Sequence, residues 1–187
     1  PNDGFSESLN AAAGTGTNGV TVSGSFNLLG AGQTNTSGVL VGISTATAGS
    51  RNGTATVAFV SDGTGTSGLG QTNLASQNVS VTGAVFRLAQ GDATPNPIDL
   101  GSFRVGVGGN SQAVTVANTA AADGFSERLG IQSAGVTGNF ALTNNLGSGL
   151  INAGANQANA LNVALSGGVA GANTGQLSVQ YLSDGTG

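Results

Sequence analysis

Two short acidic phrases occur twice in this chain, and they hold the residues best suited to chemistry. Asp3-Gly4-Phe5-Ser6-Glu7 returns as Asp123-Gly124-Phe125-Ser126-Glu127. Ser61-Asp62-Gly63-Thr64-Gly65 returns as Ser183-Asp184-Gly185-Thr186-Gly187. Three carboxylate pairs result: Asp3/Asp123, Glu7/Glu127 and Asp62/Asp184. Such residues offer three roles. Calcium takes about six to eight oxygens from carboxylates, carbonyls and waters, and Asp-Gly turns near a Glu supply some of them. Two carboxyl groups flanking a sugar can hydrolyse a glycosidic bond. An Asp in Asp-Gly can instead accept backbone N–H bonds and shape a turn. The turn is the favoured reading. The spacing fits neither an EF-hand nor the Asp register of calcium-binding nonapeptide repeats. For hydrolysis, nothing fixes a carboxylate separation, and with one Tyr and no Trp there is no aromatic platform for a sugar.

The other side chains that do chemistry are missing. The 187 residues contain no Cys, no His and no Met, and the four basic residues are all Arg. The usual zinc, copper, haem and iron–sulfur ligand sets are therefore excluded, as are Cys nucleophiles and His-based triads. Ser and Thr abound, but no His or Lys stands by as a base. The Gly-rich run Val105–Asn110 suggests a phosphate loop only until the lack of Lys is noticed; a hairpin turn suits it better. The sequons at Asn35, Asn52 and Asn78 are chance matches in so Asn-rich a chain. Phe5 and Phe125, placed alike in the two copies, are expected as buried anchors, with glycan stacking as the alternative. Arg51, Arg87, Arg104 and Arg128 are isolated and suit solvated or paired surface roles. No catalytic, cofactor-binding or metal-binding residue is assigned, and the chain is read as non-enzymatic.

Charge narrows the partners. The net charge is −4, and four scattered Arg make no basic patch for nucleic acid. An anionic membrane surface is disfavoured likewise, and no run approaches the ~20 apolar residues of a membrane span. Charged residues are 6% of the chain, against a typical ~25%. A surface of Thr, Ser, Asn and Gln suits a protein that is secreted or displayed on a cell. Mean hydropathy is +0.13, too apolar for a solvated coil despite 34 Gly.

These residues need strands to position them. The two identities lie at offsets of 120 and 122, so the copies differ by a two-residue insertion. Thr54–Val60 alternates with Ala55, Val57 and Phe59 on one face, and Gln176–Leu182 repeats this with Leu177, Val179 and Tyr181. Val39, Val41 and Ile43 match Leu161, Val163 and Leu165. Further strands are expected over Gln77–Leu88, Ile98–Val105 and Ala113–Asn118. Period two with Gly, Asn, Asp and Ser between the runs predicts an all-β, antiparallel β-sandwich. A β-solenoid is the alternative fold, but its repeat is much shorter than this one.

The order of elements resembles a family. LGSFRVGVGGNSQAVTVANTAAADGF (100–125), GVTGNFAL (135–142), INAGANQANALNVALSG (151–167) and ANTGQLSVQYLSDGTG (172–187) are similar to the choice-of-anchor D type of repeat in bacterial surface proteins. More loosely, they resemble Hydin-like immunoglobulin-fold modules. The resemblance implies tandem immunoglobulin-like sandwiches of about seven strands, exported and without catalytic residues. Residues 1–89 are then a first copy lacking its leading strands, 90–97 a Pro-containing linker, and 98–187 a second copy lacking its closing strand. The expected function is a spacer or a filament- or sheath-forming unit assembled head to tail through strands, its partners being copies of itself or adjacent modules. A glycan-binding adhesin module, or one binding ice, is the alternative. Outward Thr ladders would favour it, but Thr54 and Thr56 give way to Gln176 and Ser178 in the second copy.

Overall fold

The computed structural model describes residues 4–107, 109–167 and 170–186. The chain divides into two units, with the boundary between Val85 and Phe86. Every regular element among the described residues is a β-strand, and every ladder between these strands is antiparallel. Among them no helix is long and apolar enough to cross a membrane.

The first unit contains β1 (Ser8–Gly16), β2 (Val20–Leu29), β3 (Val39–Ile43), β4 (Gly49–Ser50), β5 (Gly53–Asp62), β6 (Gln71–Asn73), β7 (Gln77–Val81) and β8 (Ala84–Val85). The main sheet runs β3-β2-β1-β5-β6, with β7 also on β5, while β4 pairs with β8. The β1–β2 hairpin closes at Asn18-Gly19. Both residues have positive φ, 51° and 78°, as the tight hairpin turn demands. The Val20 N–H donates to the Thr17 carbonyl at 2.9 Å. β2 then serves two partners in succession: Val20–Gly24 pairs with β3, and Ser25, Phe26 and Leu29 pair with β1.

The second unit contains β9 (Gly91–Thr94), β10 (Ser111–Asn118), β11 (Arg128–Val136), β12 (Phe140–Asn144), β13 (Asn156–Leu165) and β14 (Leu177–Asp184). A four-stranded sheet, β12-β13-β10-β9, faces a pair, β11-β14. Val114, Val116, Ala160, Leu161 and Val163 of the first sheet share one buried core with Leu129 of the second and with Ile151. Ile131, Val136, Leu177, Val179 and Tyr181 pack against it from β11 and β14. Two sheets across one apolar core make a β-sandwich. Val114 and Leu161 are wholly buried, and burying a side chain of this size contributes roughly 1.5–3 kcal/mol.

Equivalent strands hold equivalent registers. Val20↔Ile43 through Gly24↔Val39 in the first unit corresponds to Phe140↔Leu165 through Asn144↔Leu161 in the second. Leu9↔Leu29 corresponds to the Leu129↔Ile151 bridge, and Ala11↔Phe59 to Ile131↔Tyr181. The offset is 144−24=120 at one pair and 151−29=122 at the next, so the two-residue insertion falls between them.

Several expectations are corrected. Ile98–Val105 is not a strand: its alternation is real, but no neighbouring strand takes up its backbone groups. It turns instead, with the Gly101 N–H on Asp99 Oδ1 at 2.8 Å and the Val107 N–H on the Arg104 carbonyl. The stretch 90–97 is more than a linker, because Gly91–Thr94 pairs with β10 as β9. Gln77–Leu88 is not one strand: it breaks between β7 and β8 at Thr82-Gly83, and residues from Phe86 onward belong to the second unit.

Candidate functional site

The recurring phrases meet at one end of the paired strands in each unit. In the first unit β1 starts one residue beyond Glu7, and β5 ends at Asp62, with Ser8 opposite Asp62 and Leu9 opposite Ser61. Glu7 Oε2 accepts from the Ser61 hydroxyl at 2.5 Å, and Oε1 accepts from the Ser67 hydroxyl. Asp62 is 4% exposed. Its Oδ1 accepts from the Thr64 N–H at 3.0 Å and the Thr64 hydroxyl at 2.5 Å. Its Oδ2 accepts from Asn10 Nδ2 at 2.9 Å and Gln71 Nε2 at 2.7 Å. Four donors on one carboxylate favour its charged form. They hold Asp62 far below the usual carboxylate range, the Thr64 hydroxyl contributing most. The hydroxyls of Ser61 and then Ser67 lower Glu7 in the same way.

The second unit repeats the arrangement with fewer partners. Glu127 Oε2 accepts from the Ser183 hydroxyl at 2.7 Å. Asp184 Oδ1 accepts from the Thr186 N–H at 2.8 Å and its hydroxyl at 2.5 Å. These bonds, the hydroxyl first, hold Asp184 below its ordinary value. The Arg128 guanidinium lies 3.9 Å away and acts in the same direction. The Gly after each Asp has a steric reason. A Cβ on Gly185 would lie 2.9 Å from Glu127 Oε1, and one on Gly63 would run into Glu7 Oε1 and the Ser67 hydroxyl. The Ser-Asp-Gly-Thr phrase is therefore the half of a clasp that admits the Glu of the other phrase.

Asp123 forms a separate ion pair, with Arg87 Nη1 at 2.7 Å from its Oδ2 and the Phe125 N–H at 3.0 Å from its Oδ1. Arg87, then the Phe125 N–H, lower its pKa. The Arg87 backbone runs beside it, donating to the Phe125 carbonyl and accepting from the Glu127 N–H. Asp3 lies outside the described residues. Among the described residues, no group of three or more acidic side chains is gathered to hold a metal ion.

The aromatic expectation holds for one copy. Phe125 is half-buried, its ring 5.8 Å from that of Phe86. Phe5 is not a buried anchor: it is 94% exposed. The segment carrying Phe86 and Arg87 runs along Phe125 in the second unit and has no counterpart beside Phe5 among the described residues. Arg51 binds backbone carbonyls, Nε on Ser44 at 3.0 Å and Nη1 on Ser50 at 3.1 Å. Arg104 is exposed beside its turn. Asn35 accepts two backbone N–H bonds in a loop, Asn78 accepts from the Thr56 hydroxyl across β5–β7, and Asn52 is exposed. Val105–Asn110 lies partly in the Arg104–Val107 turn, and Gly108 is outside the described residues.

One residue was missed. Asn118, 1% exposed, closes β10. Its amide donates to the Glu127 carbonyl at 3.0 Å and the Ile151 carbonyl at 3.2 Å. Its Oδ1 accepts from the N–H groups of Gln90 and Ala120, each at 3.2 Å. The available signal was phase: Asn118 continues the inward series Val114, Val116. Comparison with protein-family models, curated proteins and solved structures finds no match to this chain.

Proposed function

We propose that this chain is a structural module of a bacterial extracellular or cell-surface protein, a spacer or filament-forming unit whose copies join head to tail through strands. The observation that carries the reading is the use of the recurring acidic residues. Three pairs account for six of the eight acidic residues. Glu7, Asp62, Glu127 and Asp184 fasten strand ends to one another through short internal bonds. The strongest signals in the sequence thus serve the fold.

The sheet edges support assembly. β3 has one partner, β2, among the described residues, whereas β13, in the same register on β12, also carries β10. β14 has one partner, β11, whereas β5 carries β6 and β7 besides β1. Each unit holds strands that the other lacks. Open edges template strand addition, and a repeated head-to-tail contact that does not close grows into a filament. Sedimentation over a wide concentration range, with electron microscopy of the same samples, tests the reading. Open-ended, concentration-dependent growth is expected. A monodisperse monomer throughout would remove assembly from the function.

A further inference from the structure

The clearest difference between the units lies at β14. In the first unit the matching strand, β5, is covered on its outer edge. β7 pairs with it as Gly53↔Val81 through Val57↔Gln77, and β6 as Val60↔Asn73 through Asp62↔Gln71. Residues of β5 lie 122 before their counterparts in β14, since Ser61 matches Ser183. The uncovered strand shows what is lacking. Leu182 is 47% exposed where its counterpart Val60 is half-buried. Asp62 takes the Gln71 amide on Oδ2, while the bonds found at Asp184 fall on Oδ1. Ala55 is fully buried, and its counterpart Leu177 only half. Beside β14 the sandwich opens into a cleft of about 550 Å³ lined by Val114, Val136, Val163, Leu177, Val179 and Tyr181.

We propose that the outer edge of β14 is the acceptor for the β6–β7 segment, residues 71–81, of a second copy of this chain. Carrying the β5 registers over by 122 sets Val79 opposite Leu177, Asn78 opposite Ser178 and Gln77 opposite Val179. It also sets Gln71 opposite Asp184. The chemistry at each pair is kept. The Thr56 hydroxyl donates to Asn78 Oδ1 at 2.7 Å, and Ser178 presents a hydroxyl at the matching place. The Gln71 amide reaches the second oxygen of Asp184 as it reaches that of Asp62. Val79 covers the apolar cleft. Neither β14 up to Ser183 nor residues 71–81 carries a charge to oppose the pairing. The inference rests on the strand-mediated assembly proposed above and names its donor and register.

The chain has no cysteine, so one disulfide reads the register. The full chain carrying Ser178→Cys is mixed, under mild oxidation, with synthetic peptides of residues 70–82 carrying either Asn78→Cys or Ser80→Cys. Paired strands hold opposite Cα atoms about 4.5–5.5 Å apart, within reach of a disulfide, whereas a two-residue slip adds about 7 Å. Cross-linking with the Asn78→Cys peptide and its loss with the Ser80→Cys peptide is the expected result. In addition, the unmodified peptide should raise the unfolding midpoint read by Tyr181, the sole tyrosine. Equal cross-linking of both peptides, or none, overturns the assignment. Sedimentation of the unmodified chain separates the two failures: assembly without peptide cross-linking rejects this edge alone, and absence of both rejects assembly as well.

Discussion

Asn118→Ala tests how the second unit is tied together. The substitution removes four hydrogen bonds, to Glu127, Ile151, Gln90 and Ala120. Each contributes about 0.5–1.5 kcal/mol net, and the buried Ala120 N–H left without its acceptor adds about 1–3 kcal/mol. The Ile151 carbonyl keeps the Leu129 N–H at 2.9 Å, and Gln90 is exposed, so those two losses fall at the low end. The expected cost is about 4–5 kcal/mol, against a total of about 5–15 kcal/mol for a typical domain. Urea unfolding followed by Tyr181 fluorescence reports the second unit alone, because the chain has no Trp. Asn118→Asp keeps the shape but turns a lone pair toward two carbonyls, so burial raises the introduced carboxyl's folded pKa above its unfolded value. Its penalty is full at neutral pH and shrinks as pH falls through the folded pKa toward about 4. An Asn118→Ala midpoint within about 1 kcal/mol of the parent would refute the reasoning, because a single average bond is worth that much.

Three further outcomes are expected. Asp62, Asp184, Asp123 and Glu7 all have folded pKa values below the ordinary range. Their stabilisation is therefore present above about pH 4 and is lost as pH falls below it. A thermal melt series should drop steeply in that window, and a flat series would contradict the clasp. Leu161→Ala, at a wholly buried site, should cost about 2–5 kcal/mol. Val41→Ala, at a 43% exposed site on the matching strand, should cost no more than about 0.5 kcal/mol, and equal costs would mean β3 is covered in solution. Melts in calcium and in chelator at fixed ionic strength should coincide. An upward shift with calcium would make the Asp62 or Asp184 turn a ligand site.

What the sequence reveals depends on whether a signal is local. Alternation is local, so Ala113–Asn118 and Thr54–Val60 were legible as strands. Pairing is not local. Gly91–Thr94 is short and polar and becomes a strand only because β10 lies beside it, and Ile98–Val105 alternates without finding a neighbour. The acidic phrases could be recognised as important from their recurrence, and Asp62 as a turn residue from the Gly after it. That Glu7 answers Ser61 across 54 residues depends on the β1–β5 register, which no spacing encodes. Asn118 escaped notice because a buried Asn looks in sequence like a turn residue at a strand end. Phe5 was misjudged because its twin, Phe125, owes its cover to Phe86.

The clasp also bears on the order in which the chain folds. Its bonds join residues 54 apart in one unit and 56 apart in the other. Closing a loop of that length costs about 3.5 kcal/mol of chain entropy before any constant term, more than one hydrogen bond returns. Neither clasp can therefore begin the folding of its unit. The Asn18-Gly19 turn closes β1 on β2 with little loop to gather, so structure in the first unit should spread from that hairpin and reach Ser61 last. Ser61→Ala should then hasten unfolding and leave the folding rate nearly unchanged. During synthesis, the first unit stays unlatched until Thr64 and Ser67 have left the ribosome.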